Sequence, residues 1–256
     1  MARPLITLTC EICGKKFEAR ARRKSVHCQE CAEDLRAKGL GPLQVKRGNS
    51  VKPPSSNVQA KEICWEQAED NLCYYVKRFN RYPTYDGVTP ADLDRVTDED
   101  RQLANKIAAR VSAKTWAQII ANNNSIAKIG DWDLLKMNDL EWQKRKQVIH
   151  EVLSPLLGQP GIGVARLTKA LHRKRPKLIP ICDSVVQNAL GVYAGNKADI
   201  IIACMDKFRI IGREHTSRLQ ELRELSKQLD AEMTELRILE VLYWVQLGPF
   251  QPTRQS

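Results

Sequence analysis

Asp183 is the acidic residue whose surroundings invite a chemical reading. It lies in "LIPICDSVVQNALGVY", behind Pro176 and Pro180 and directly before an apolar helical run. Two roles fit it. Asp is a common helix N-cap, where its side chain accepts hydrogen bonds from the first amides. A carboxylate in that position also stays ionised near neutral pH, because the helix dipole and amides favour the anion. It can then stabilise a developing cation or activate a water.

Upstream stands a tight turn, Pro160-Gly161-Ile162-Gly163. The two glycines leave backbone amides open to close approach, and Ile162 is expected to plug between the flanking helices. A helix beginning at once after the turn directs its unpaired amides and positive dipole end toward it, a ready anion site. At 100° per residue, Val164, Leu167 and Leu171 fall within about 60° of one another, and Arg166, Lys169 and Arg173 within another arc of about 60°. The spacing predicts one packed face and one cationic face. Lys174, Arg175 and Lys177 extend the charge, and Pro176 predicts an extended geometry for Arg175. Turn and helix together are similar to a helix-hairpin-helix, which grips DNA phosphates through backbone amides; a plain corner between two helices is the alternative.

The remaining chemistry-bearing cluster is "CEICGKKFEARARRKSVHCQEC". Cys10 and Cys13 form one Cys-x-x-Cys pair and Cys28 and Cys31 a second. Four thiolates at this spacing predict a tetrahedral structural zinc with no open position. Two disulfides would require an oxidising compartment. The intervening Arg20, Arg22, Arg23 and Lys24 form either a phosphate contact or a solvated loop. Cys64, Cys73, Cys182 and Cys204 lack ligand spacing and are expected in the core.

These residues must be positioned by helices. Residues 1–40 read as a zinc-ribbon or treble-clef module and 41–57, "GPLQVKRGNSVKPPSSN", as a linker. Residues 58–256 read as a mainly α bundle: apolar spacing recurs through Leu103, Ile107 and Val111, through 139–157, and through 217–247. Strand alternation is expected only at 5–9. The chain of 256 residues is 43% hydrophobic, enough for a sizeable core, and its formal charge of +11 favours a polyanionic partner. No apolar run reaches the roughly 20 residues of a membrane helix, and the opening residues do not read as a signal peptide. A cytoplasmic, nucleoid-associated, monomeric protein is expected.

The turn and Asp183 taken together resemble the helix-hairpin-helix base-excision DNA glycosylases, the endonuclease III superfamily. The signature is Pro160-Gly161-Ile162-Gly163 followed by Pro180-Ile181-Cys182-Asp183-Ser184-Val185-Val186, and the specific match covers about residues 155–190. The resemblance implies a helical glycosylase-like bundle with its hairpin at about 141–173, and duplex DNA with a flipped base as partner. It makes Asp183 catalytic and assigns DNA contact to Gly161, Ile162, Gly163, Ala165, Arg166, Lys169, Arg173, Lys174 and Arg175. Two departures matter. The lysine nucleophile of bifunctional members is replaced by Ala165, and their four-cysteine iron–sulfur loop is absent. The implied enzyme is therefore monofunctional: it hydrolyses the N-glycosidic bond of a damaged or modified base, in repair or in defence against modified phage DNA, without a lyase step. The competing readings are a non-enzymatic DNA-binding protein and an RNA-binding zinc protein. Trp116, Trp132, Trp142, Tyr74, Tyr75 and Tyr82 are candidate base-stacking rings, and Asn122 to Ser125 a candidate wedge.

Overall fold

Capping chemistry sets where most of the helices begin. In this computed structural model, which describes residues 5–9, 16–20, 60–79, 82–121, 126–193 and 195–248, the chain divides into two compact units, Met1–Lys52 and Pro53–Ser256. In the first unit β1 (Leu5–Thr9) pairs antiparallel with β2 (Lys16–Arg20), in a register that sets Thr9 opposite Lys16. Residues 10–15, which connect the strands, contain Cys10 and Cys13. The second strand was not legible as alternation.

The second unit is mainly helical. Its helices are α1 (Ala68–Phe79), α2 (Asp98–Lys106), α3 (Ala113–Ala121), α4 (Asp139–Leu157), α5 (Val164–His172), α6 (Ser184–Leu190), α7 (Lys197–Glu214), α8 (Thr216–Gln228) and α9 (Glu235–Leu247). Asn138 and Glu141 form a reciprocal capping box at the start of α4, as do Asn196 and Asp199 at α7. Asp183 caps α6 and Thr234 caps α9.

Helix α9 is buried on all sides, as expected for a helix at the centre of a core. It packs against α1, α6, α7 and α8, while α4 packs on α7 and α5 lies between α2 and α7. A side cluster of Tyr85, Leu103 and Ile181 joins the helical turn Tyr82–Asp86 and α2 to the segment before Asp183.

Local backbone geometry interrupts two of the expected helical runs. The spacing through Ile107 and Val111 does not continue α2, because Ala108 and Arg110 adopt φ of 63° and 54°. The 217–247 run is divided between α8 and α9 by Asp230 at φ 54°. After His172 the chain also departs from expectation. Arg175 is not extended: its amide donates to Leu171 O at 3.1 Å and Ile179 N donates to Arg175 O at 2.9 Å, so turns continue the helix.

Candidate nucleic-acid interface and active site

Helix α4 ends at Gly158, and a turn through residues 159–163 leads into α5. Gly161 adopts φ 79°, and a Cβ there would meet Thr115 Cγ2 at 3.3 Å. Gly163, the N-cap of α5, has extended backbone and open space where a side chain would stand. Ile162 is buried, and Lys197 Nζ donates to the Ile162 and Leu157 carbonyls at 2.7 and 2.9 Å. The lysine thus ties α7 to both the end of α4 and the turn. Ala165 is half-buried one residue into α5.

The two glycines should respond differently to substitution. Gly161→Ala forces an L-residue into left-handed backbone and should cost about 1–2 kcal/mol. Gly163→Ala should cost less than about 1 kcal/mol, the difference between Gly and Ala at an N-cap, because open space stands where its side chain would go. Urea denaturation of the two variants measures both losses. Equal losses of stability in both variants would contradict the assignment.

The cationic face of α5 does not form the solvent-facing grip expected from its spacing. Arg166 donates to Ala109 O at 3.2 Å and to the Gly161 carbonyl. Lys169 donates to Ile107 O at 2.9 Å, and Arg173 to Val88 O at 2.9 and 2.8 Å. Lys174 is buried against Asp100 at 3.0 Å and also reaches the Asp92 carbonyl. Arg175, also buried, reaches Ile129 O, Leu93 O and Asp94. The reason lies in the neighbouring chain. The irregular segments 87–97 and 107–111, which flank α2, and the C-terminal end of α2 present carbonyls with no helical partner, and these require donors. A basic helix beside them supplies those donors and complements the negative end of the α2 dipole.

Asp183 is half-buried. Its Oδ1 accepts from Val185 N at 3.0 Å and Val186 N at 3.1 Å. Oδ2 has no hydrogen-bond partner among the described residues. Immediately before it, Cys182 N donates to Thr168 Oγ1 at 3.1 Å. Thr168 stands one helical turn after Ala165, so the segment that ends in Asp183 is fastened to the helix that the turn begins. These bonds bring Asp183 and the hairpin helix together.

Behind them lies a polar network that spacing had not revealed. Arg237 Nε bonds Asp86 Oδ1 at 2.8 Å, Nη1 bonds Glu240 Oε2 at 2.8 Å, and Nη2 donates to Tyr75 Oη at 2.7 Å. Glu240 Oε1 accepts from Ile181 N at 2.5 Å, which fixes the approach to Asp183. His172 Nδ1 is 2.8 Å from Ile179 O, so it must carry the proton and donate. Its 3.7 Å separation from Glu240 is not a hydrogen bond. The available signal was an Arg and a Glu at i, i+3 within the otherwise apolar "LRILEVLYWV".

Burial pushes the Glu240 carboxyl up to about 7 against the opposing pull of Arg237. Burial, and then the charges of Arg237 and Arg173, bring His172 down to about 3. The two have opposite consequences for stability. Glu240 favours folding below its ordinary 4.5, and that contribution is lost as pH rises through 7. His172 favours folding above its ordinary 6.5, and that contribution is lost as pH falls toward 3. Between those ordinary values the slopes oppose each other. In Glu240→Gln, stability should therefore rise across this window by up to about 1.4 kcal/mol per pH unit, while the parent stays nearly flat. Urea unfolding at several pH values checks this; parallel profiles would contradict it.

Most of the candidate stacking rings belong to the core. Trp116, Trp142 and Tyr75 are buried, and Trp116 Nε1 donates to Thr97 O. Tyr74 packs edge-on to Phe79. Trp132 is half-buried with the Arg145 guanidinium 4.2 Å from its ring centre, beside a shallow cavity of about 210 Å³. A second cavity of about 300 Å³ lies between the α5–α6 connection and the start of α9. Neither cavity is lined by Asp183 or the turn.

Cys10, Cys13, Cys28 and Cys31, the basic residues Arg22 to Lys24, and Asn122 to Ser125 lie outside the described residues. No group of metal-binding side chains occurs among the described residues. Cys182 and Cys204 are buried, while Cys64 and Cys73 are half-buried. No helix among the described residues is long and apolar enough to cross a membrane.

No curated protein and no solved structure matches the chain. One family model does match it, over residues 68–247, a span that runs from the start of α1 to the end of α9 and takes in the turn, Asp183 and the Arg237 network. The chain therefore belongs to DUF6308, a family of unknown function.

Proposed function

We propose that the protein is a monofunctional DNA glycosylase that releases a damaged or modified base by hydrolysis. The observation that carries this reading is the fastening of Asp183 to α5 through Cys182 and Thr168. It sets a carboxylate with one uncommitted oxygen beside the helix whose open N-cap, Gly163, can accept a phosphate. In this scheme the N-terminus of α5 receives the DNA backbone. The Asp183 carboxylate stabilises positive charge growing on the sugar as the bond from C1′ to the base breaks. It then accepts a proton from the water that adds to C1′. The departing base carries away the bonding electrons and is protonated, leaving an abasic site. With Ala165 at the position of the lysine nucleophile of the bifunctional glycosylases that the turn resembles, no amine is present there to form a Schiff base.

The structural zinc on Cys10, Cys13, Cys28 and Cys31 and a monomeric, cytoplasmic protein acting on duplex DNA complete the proposal. The expected cationic grip narrows to the turn and the α5 amides, because the basic side chains are used within the fold.

A second reading, DNA binding without catalysis, is favoured by the Asp183 cap itself, which gives that residue a sufficient structural role. Duplexes carrying alkylated, oxidised, deaminated or hypermodified bases separate the two. The first reading expects free base and an alkali-labile abasic strand. Steeply salt-dependent binding with no base released from any substrate would establish the second.

A further inference from the structure

Two stretches of sequence without an acidic residue meet at the turn. No Asp or Glu occurs from Arg101 to Gly130, nor from Val152 to Cys182. The fold joins them at three points. Arg166 of α5 donates to Ala109 O at 3.2 Å, Lys169 donates to Ile107 O at 2.9 Å, and a Cβ on Gly161 would meet Thr115 Cγ2 at 3.3 Å. The segment between α2 and α3, with the first turn of α3, therefore flanks the turn.

That flank carries two cations that the fold does not use. Arg110 and Lys114 are exposed, and neither side chain has a hydrogen-bond or ion-pair partner among the described residues. The cations of α5 differ, because Arg166 and Lys169 are drawn onto carbonyls. A carbonyl satisfies the guanidinium of Arg166 without cancelling its charge. Arg110, Lys114 and Arg166 thus set three cations against the one carboxylate of Asp183, while Lys197 and Asp199 offset each other on the α7 side.

Arg110 is also held in position. Asn105 spans the segment, its Nδ2 donating to Val111 O at 3.0 Å and its Oδ1 accepting from Val111 N at 2.8 Å. Ala109 N donates to Ala104 O at 3.1 Å. Ala109 and Val111 are buried on either side of Arg110, whose backbone is left-handed at φ 54°. That conformation is unfavourable for arginine, and the clamp at Asn105 maintains it with the side chain directed to solvent.

We propose that Arg110 and Lys114 bind phosphates of the DNA backbone next to the one received at the turn. This grip presupposes that the turn meets a DNA backbone, as both readings above hold, and is independent of whether a base is released. The guanidinium of Arg110 can fork to two phosphate oxygens, and Lys114 supplies a mobile point charge. Contacts of this kind fix register on the duplex without reading sequence. They supply the cationic grip that the side chains of α5, turned inward, do not.

Fluorescence anisotropy on an unmodified duplex at a series of salt concentrations tests the proposal with Arg110→Gln, Lys114→Gln, the double variant and Lys144→Gln. Lys144 is the control. It is exposed and has no side-chain partner among the described residues, but it lies on α4 roughly 20 Å along the axis from Gly158. Its substitution removes the same net charge away from the flank. Arg110→Gln and Lys114→Gln should each reduce the slope of log affinity against log salt by about 0.9, and the double variant by about twice that, equally on duplexes of unrelated sequence. Lys144→Gln should leave the slope unchanged. Lys114 is an exposed helix residue whose replacement leaves the fold intact, so it carries the test if Arg110→Gln is unstable. The proposal is overturned, with the reading of the turn left standing, if the parent binds and every folded flank variant matches Lys144→Gln. Failure of the parent to bind duplex DNA would overturn both. Reduced slopes with no base released would uphold the grip and favour binding without catalysis.

Discussion

Asp183→Asn should leave the protein folded and lower the rate of base release by a factor of about 10²–10⁴, the usual contribution of a positioned acid or base. The substitution separates structure from chemistry because of how Asp183 is held. Both capping bonds, from Val185 N and Val186 N, go to a single oxygen, Oδ1. Asn offers an equivalent carbonyl oxygen and caps helices about as well as Asp. The midpoint of urea unfolding should therefore barely move. What disappears is the negative charge and the second carboxylate oxygen, which the proposed mechanism requires and a cap does not. Single-turnover release of the base, followed by mass spectrometry, measures the effect. Undiminished release from the Asn variant would remove Asp183 from the mechanism. Treatment with borohydride during turnover should trap no protein–DNA adduct; an adduct would show that an amine other than one at position 165 attacks the sugar.

The largest effect on stability should come from Arg237→Met. Arg237 bonds Asp86, Glu240 and Tyr75, all of them buried. Deleting one member of a buried ionic network typically costs about 3–5 kcal/mol, because the remaining charge is left without compensation. That is a large part of the roughly 5–15 kcal/mol that stabilises a typical domain. The loss should propagate, since Glu240 also binds the amide of Ile181, two residues before Asp183. Arg237→Lys retains a charge but cannot fork to three partners, so it should fall between parent and Met variant. Denaturant titration of the three proteins tests the order. A loss below about 1 kcal/mol in Arg237→Met would place the network with ordinary surface pairs.

Much of the local architecture was legible because it depends on neighbours in sequence. The α4–turn–α5 unit follows from Gly158, Pro160, Gly161 and an apolar spacing that leaves no choice of face. The cap at Asp183 follows from an acid placed before an apolar helical run. The C-terminal end of α2 and the break before α9 were not legible, because Ala108, Arg110 and Asp230 adopt left-handed backbone without being glycine. Tertiary packing selects that conformation against local preference.

The sequence by itself determined a helical body, the turn and the cap. It also determined that Arg166, Lys169 and Arg173 share one side of α5, since that follows from helical pitch alone. Only the tertiary structure decided what that side meets. The carbonyls of Val88, Ile107 and Ala109 come from a segment distant in sequence, and their need for donors draws the cations inward. Likewise, Arg237 and Glu240 differ little in type from surface charges. Their burial against Asp86, Tyr75 and Ile181 arises from three separate parts of the chain, so no local pattern could specify it. Periodicity fixes which residues face the same way; the partners on that side are fixed by how the helices pack.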